Sequence, residues 1–73
     1  MQLHFLPMKT IEISFNSRAD LERQISAFRE QQPSAKLDKT QFNRALARAI
    51  DMDNDGRAVG ERVIFKIGYT ETP

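Results

Sequence analysis

The residues of this chain that are best suited to binding a ligand form a row of hydrogen-bond donors in its second half. Gln41, Arg44 and Arg48 recur at spacings of three and four residues, which places their side chains on one face of a helix. Guanidinium and amide groups on such a face can donate to phosphates and to base edges in a DNA groove. Thr40 and Ala47 beside the row are small, so a groove wall could approach closely. The row indicates a DNA-contacting helix.

The distribution of charge supports the same interpretation, although the net charge of the chain is only +1. Residues 36–48 carry four basic side chains and one acidic side chain, whereas residues 49–73 carry three basic and five acidic ones. A local positive excess is typical of nucleic-acid binding, but a solvated helix face often has the same composition. The predicted DNA contacts are Lys36, Lys39, Gln41, Asn43, Arg44, Arg48 and Arg57.

A second group of charged residues resembles half of a calcium-binding loop. Three aspartates and Gly56 occupy positions 1, 3, 5 and 6 of the EF-hand pattern. Position 12, which must supply a bidentate carboxylate, is Arg62, and a strand pattern follows it instead of a helix. We therefore predict a polar turn over Asp51–Gly60, and we expect neither a metal ion nor a cofactor.

The composition excludes most catalytic chemistry. The chain has no cysteine and a single histidine, His4, in its first segment. It therefore lacks a thiolate nucleophile and a cysteine-ligated metal site, and we expect neither a histidine-rich metal site nor a Ser–His–Asp triad. All three glycines follow the basic helix, so no glycine-rich phosphate loop is present. We expect a protein that is not an enzyme.

The elements that must position these residues follow from the hydrophobic pattern. Thr10–Phe15 alternates between apolar and polar residues, which predicts a strand. Ser17 is a typical N-cap for an amphipathic helix over residues 18–32. Asp38 is the candidate cap of the basic helix, and Arg62–Thr70 again alternates as a strand does. The sequence therefore predicts a small α+β domain with the order strand, helix, helix, strand.

A length of 73 residues allows one domain. We expect residues 9–73 to form it and residues 1–8 to be an N-terminal extension, with Met1 and Met8 both compatible with the biological start. The extension is too short for a signal-peptide core, and no apolar run approaches the roughly 20 residues that span a bilayer. We expect a cytoplasmic protein without membrane contact. Its small core makes a homodimer a natural route to further burial.

Residues 36–46 resemble the turn and recognition helix of winged-helix DNA-binding domains. In this resemblance Asn54–Arg57 would form the tip of the wing, and Arg62–Tyr69 its returning strand. The strand over Thr10–Phe15 would lie beside the wing. The resemblance implies a winged-helix-like fold and a small DNA-binding regulatory protein.

A second resemblance, to ribbon-helix-helix repressors, covers Lys9–Ile50. In that family two strands pair across a dimer and present outward side chains to the major groove. The resemblance implies that Thr10, Glu12 and Ser14 would face DNA. Residues 51–73, which include a C-terminal strand, have no role in that minimal fold.

The modest net charge leaves a different function open, because dedicated DNA binders are usually more basic. A small protein-binding adaptor or inhibitor would pair with a macromolecular partner through an open sheet edge or through the exposed second helix. Among the aromatic residues, we expect Tyr69 to be the one at an exposed contact.

Overall fold

A computed structural model describes residues 9–55 and 61–71. Its elements, in chain order, are β1 (Lys9–Phe15), α1 (Arg18–Gln31), β2 (Ala35–Leu37), α2 (Lys39–Asp55) and β3 (Val63–Glu71). The mixed α+β architecture predicted from the sequence is confirmed, with β2 as an additional short strand. The predicted extension over residues 1–8 lies outside the described residues. Neither helix in the described part of the chain is long and apolar enough to cross a membrane.

The three strands form one antiparallel sheet in the order β1-β3-β2. β1 pairs with β3 over its whole length, with Lys9 opposite Tyr69 and Phe15 opposite Val63. β2 covers only Tyr69–Glu71 on the other side of β3. The central strand therefore has a described partner on both sides only at its C-terminal end.

Both helices pack on the same face of this sheet. Odd-numbered residues of β1 and β3 point toward the helices, since side chains alternate along a strand, and Phe15 and Ile67 are fully buried there. Even-numbered residues point to the opposite face, where Ile64 is 64% exposed. The buried core consists of Ile13, Phe15, Leu21, Ile25, Ala45, Ala49, Met52 and Ile67.

The two helices begin where the sequence predicts. The Oγ of Ser17 accepts a hydrogen bond from the backbone N–H of Asp20 at 3.1 Å and caps α1. The Oδ1 of Asp38 accepts one from the backbone N–H of Thr40 at 3.2 Å at the start of α2. These caps confirm both predicted helix starts.

The C-terminal end of α2 differs from the prediction. The helix continues through Asp55, so the polar turn predicted to begin at Asp51 is wrong at its first five positions. Met52 is buried in the core, and the Oδ1 of Asp53 accepts a hydrogen bond from the backbone N–H of Arg18 at 3.3 Å. These tertiary contacts override the low helix propensity of aspartate and asparagine.

The wing-tip prediction is wrong for the same reason. Asn54 and Asp55 are helical, so the residues before the proposed tip do not form a strand that could pair with β3. Gly56 and Arg57, the other two residues of the tip, lie outside the described residues.

The strand that would form the ribbon of a ribbon-helix-helix dimer pairs with β3 of its own chain. At its outer edge, the carbonyl oxygen of Ser14 accepts hydrogen bonds from Nε2 of Gln24 and from the Arg62 guanidinium, both at 2.6 Å. A second strand could pair along this edge only by displacing these side chains at Ser14.

Candidate nucleic-acid interface

The first turn of α2 is anchored to the central strand at Gly68. The backbone N–H of Gly68 donates to Oε1 of Gln41 at 2.6 Å, and its carbonyl oxygen accepts from the backbone N–H of Asp38 at 2.8 Å. Because β2 ends at Leu37, the start of α2 satisfies the two backbone groups that a longer β2 would have bonded. The first turn of α2 therefore lies against Gly68 of β3.

Gln41 belongs to this anchor, although the sequence placed it among the DNA contacts. Its side chain is half-buried and its oxygen accepts a hydrogen bond from Gly68, so Gln41 has a structural role in addition to any contact its amide nitrogen makes. Sequence reasoning did not detect the anchor, because a glutamine in line with two arginines looks like part of a solvated row.

Arg44 and Arg48 are exposed on the flank of α2 that faces away from α1. On the α1 side, Phe42 lines a groove together with Ile25. At about 100° per residue, the row that begins with Gln41 continues through both arginines on the opposite flank. Since Gln41 bonds to the side of β3 that faces β2, the arginines lie on the β2 side of the molecule.

The other residues predicted to contact DNA do not all lie on the same surface. Lys39 and Asn43 are exposed but lie about 100° or more around the helix axis from Arg44, toward the α1 flank. Lys36 is exposed on β2, opposite Thr70, on the sheet face away from the helices. Lys36 therefore lies at the β2 edge, as Arg44 and Arg48 do, but on the opposite face of the sheet. Arg57 lies outside the described residues.

Ion pairing distinguishes the two helices. On α1, Arg18 lies 3.0 Å from Glu22 and Arg23 contacts Asp20, so two of its three arginines are paired. In the described part of the chain, no carboxylate lies within 4.0 Å of Lys36 or of the three basic side chains of α2. Among the described residues, the basic side chains of α2 therefore have no ion-pair partner, unlike most arginines of α1.

The same flank becomes acidic toward the C-terminal end of α2. Asp51 and Asp55 continue the row of Arg44 and Arg48 at spacings of three and four residues. The flank therefore changes sign about three turns after the helix begins. A polyanion could approach the N-terminal half of this flank more closely than its C-terminal half.

A separate polar cluster stabilises the opposite end of the sheet. Asp20 is 6% exposed and accepts hydrogen bonds from Arg62 at 2.7 Å and Gln24 at 3.2 Å. Burial pushes the pKa of Asp20 upward, but these hydrogen bonds and the positive charge of Arg62 outweigh it and hold the pKa below its ordinary value. Arg62 also donates to Oγ of Ser14 at 2.9 Å. The cluster ties β1, α1 and the start of β3 together.

The aspartates of the calcium-like segment do not converge. Asp51, Asp53 and Asp55 lie on a helix, where residues two apart point about 200° from each other. Among the described residues, no group of three or more His, Cys, Asp or Glu side chains could hold a metal ion.

Tyr69 is not the exposed aromatic residue that the sequence indicated. It is 8% exposed, and its ring contacts that of Phe28 edge to face, with ring centres 5.0 Å apart. The prediction of an exposed Tyr69 is wrong because the odd-numbered face of β3 packs against the helices.

Comparison of the chain with protein-family models, with curated proteins and with solved structures finds no match. The chemistry of the side chains and their arrangement are therefore the basis for proposing a function.

Proposed function

We propose that this protein is a small, non-enzymatic DNA-binding regulatory protein that binds DNA through the basic flank of α2. One observation carries the proposal: the basic side chains of α2 and Lys36 are exposed without a carboxylate partner in the described part of the chain, whereas most arginines of α1 are paired. Unpaired cations can exchange bound counterions for DNA phosphates without first breaking an intramolecular ion pair.

Arg44 and Arg48 would make the central contacts, because they project from adjacent turns of one helix flank. A guanidinium there can bind a phosphate or donate two hydrogen bonds to a guanine edge. Lys36 would bind a phosphate from the neighbouring sheet edge. Asp51, farther along the same flank, would restrict the contact to the part of α2 that precedes it. This use of α2 agrees with the role that the winged-helix resemblance implies for it.

The proposal is tested by titrating a labelled duplex of about 20 base pairs with the protein at low salt and measuring fluorescence anisotropy. Replacing both Arg44 and Arg48 with alanine should weaken binding by at least about tenfold. The matched control replaces Arg18 and Arg29, which removes the same charge from α1, and should weaken binding less than about threefold. Equal losses in the two variants, or no salt-dependent binding below about 100 μM protein, would refute the proposal.

A protein-binding adaptor or inhibitor is the second candidate function. It is favoured by the sheet, because β2 leaves most of one side of β3 without a strand partner among the described residues. The two functions differ in a simple observation. A DNA-binding protein purified without nuclease carries nucleic acid, visible in its ultraviolet absorbance spectrum, whereas an adaptor does not.

A further inference from the structure

Part of the backbone of β3 faces the side where β2 is absent. Gly68 establishes this orientation, since its N–H and C=O groups both bond to the start of α2 on the β2 side. In an antiparallel ladder the backbone groups of every second residue point to the same side. The N–H and C=O groups of Lys66 and Ile64 therefore also point toward the β2 side. No described residue pairs with either of them there.

The pairing of β3 with β1 independently gives the same orientation for the backbone groups of Ile64. Ser14 lies opposite Ile64, and the carbonyl oxygen of Ser14 bonds to Gln24 and Arg62 at the outer edge of the sheet. Ser14 and Ile64 are thus a pair that exchanges no hydrogen bonds. The backbone groups of Ile64 must point away from β1.

The side chains around this edge of β3 include an exposed apolar residue and several basic ones. On the outer face of the sheet, Ile64 is the large hydrophobic residue most exposed in the described chain, at 64%. Lys66 beside it is exposed and has no ion-pair partner among the described residues. On the other face, the flank of α2 with Arg44 and Arg48 lies on this side of β3.

The positions of Arg44 and Arg48 relative to the residues of β3 follow from the direction of α2. α2 runs antiparallel to β3, from Gln41 at Gly68 to Asp53 near the start of α1. A helix rises about 1.5 Å per residue and a strand about 3.4 Å. Arg44 is therefore roughly level with Ile67, and Arg48 is roughly level with Phe65.

We propose that the edge of β3 over Val63–Ile67 binds an extended, acidic segment of a partner protein, which adds a strand antiparallel to β3. Acidic side chains opposite Ile67 and Phe65 lie on the helix side of the sheet and meet Arg44 and Arg48. An apolar side chain opposite Ile64 covers that residue on the outer face. Main-chain hydrogen bonds supply affinity, and alternate side chains supply specificity.

This inference goes beyond DNA binding and does not depend on it, because it uses the backbone of the sheet edge. The two ligands share Arg44 and Arg48, so the acidic segment and DNA compete for the protein. Binding of the segment would then release DNA from the flank of α2.

The probe is the peptide acetyl-Glu-Thr-Glu-Val-Thr-amide, whose residues pair in order with Ile67 back to Val63. We expect a dissociation constant below about 1 mM at low salt, with the largest amide chemical-shift changes in NMR spectra at Ile64 and Lys66. A peptide with lysine in place of both glutamates should not bind.

Backbone methylation of the peptide distinguishes strand addition from simple charge attraction. The second and fourth peptide residues face Lys66 and Ile64 and exchange hydrogen bonds with them, so N-methylation of both should weaken binding at least about tenfold. N-methylation of the two glutamates, whose N–H groups point away from β3, should change binding by less than about threefold. Both peptides carry the same charge and the same number of methyl groups.

Substitutions at Ile64 provide the matching test in the protein. Ile64→Pro removes the outward N–H without removing a bond to β1, and it should abolish peptide binding while DNA affinity is unchanged. Ile64→Thr retains the N–H and should retain peptide binding. The circular dichroism spectrum and urea midpoint of each variant show whether it is folded. If Ile64→Pro does not fold, the pair of methylated peptides decides the question with the unmodified protein.

Three outcomes would overturn the inference. They are equal binding of the two methylated peptides, no peptide binding at about 1 mM, and a dimer of the protein that Ile64→Pro dissociates, since the edge would then belong to a second copy. Failure of DNA binding together with peptide binding that depends on the methylation pattern would refute only the proposed DNA-binding function.

Discussion

The Oε1 atom of Gln41 lies 2.6 Å from the backbone nitrogen of Gly68 and accepts its hydrogen bond. This contact joins the first turn of α2 to the central strand at the point where β2 ends. Gln41 lies on the same flank of α2 as Arg44 and Arg48, so the contact shows that both arginines lie on the β2 side. The burial of Ala45, Ala49 and Met52 fixes the rotation of α2 about its axis and leaves Arg44 and Arg48 exposed on this flank.

We predict that Gln41→Ala destabilises the protein by about 1–3 kcal/mol, because the substitution leaves the N–H of Gly68 without its partner. The measurement is urea unfolding followed by circular dichroism. Asn43→Ala is the matched control, since Asn43 is an exposed residue on the same helix, and it should change the free energy of unfolding by no more than about 0.5 kcal/mol. Equal effects of the two substitutions would show that the Gln41 hydrogen bond does not stabilise the fold.

The elements with a clear hydrophobic period are predictable from the sequence. The strand predicted over Thr10–Phe15 differs from β1 by one residue, and the helix predicted over residues 18–32 differs from α1 by one residue. β2 is not predictable in this way, because three residues are too few to show a period. Ala35–Leu37 forms a strand only because Tyr69–Glu71 offers a free edge nearby.

The basic flank was predictable in composition but not in arrangement. The spacing of Arg44 and Arg48 is a property of the sequence, and so is the excess of positive charge around them. The anchoring of Gln41 and the helical state of Asp51 through Asp55 depend on contacts with residues far away along the chain. No local pattern encodes those contacts, so the sequence could not separate an anchor from a binding residue.

We predict that the stabilising effect of Asp20 depends on pH in the acid range. Because the pKa of Asp20 is lower in the folded protein than its ordinary value, its charged form stabilises the fold above the unfolded pKa of about 3.9. That contribution is lost as the pH falls through the folded pKa, where the unfolded chain has already bound its proton. The difference in free energy of unfolding between the protein and Asp20→Asn should therefore be largest near neutral pH and shrink below about pH 4.

This dependence is measured by urea unfolding at a series of pH values for both proteins. Arg62→Ala, which removes a cation that lowers the pKa of Asp20, should reduce the same acid dependence. A difference between the protein and Asp20→Asn that stays constant from neutral to acid pH would contradict the prediction.

We predict that a larger side chain at Ala49 destabilises the protein, because α2 packs closely against the sheet there. Ala49 is fully buried, so Ala49→Leu forces extra atoms into a filled core and should cost about 1–3 kcal/mol. Ala47 is exposed on the same helix, and Ala47→Leu should change the free energy of unfolding by no more than about 0.5 kcal/mol. Thermal and urea unfolding of the two variants provide the comparison, and an unchanged stability of Ala49→Leu would show that the core has room there.

We predict that the dependence of DNA affinity on salt measures the number of phosphates bound by α2. Each phosphate neutralised on B-DNA contributes about 0.9 to the slope of the logarithm of the association constant against the logarithm of salt concentration. Replacing Arg44 and Arg48 with alanine should therefore reduce the magnitude of this slope by about 2 if both bind phosphates. The Gln41→Ala variant should lose stability but keep the slope, because Gln41 bonds to the sheet. A double variant with weaker binding and an unchanged slope would instead place the two arginines on base edges, where lost hydrogen bonds lower affinity without releasing fewer counterions.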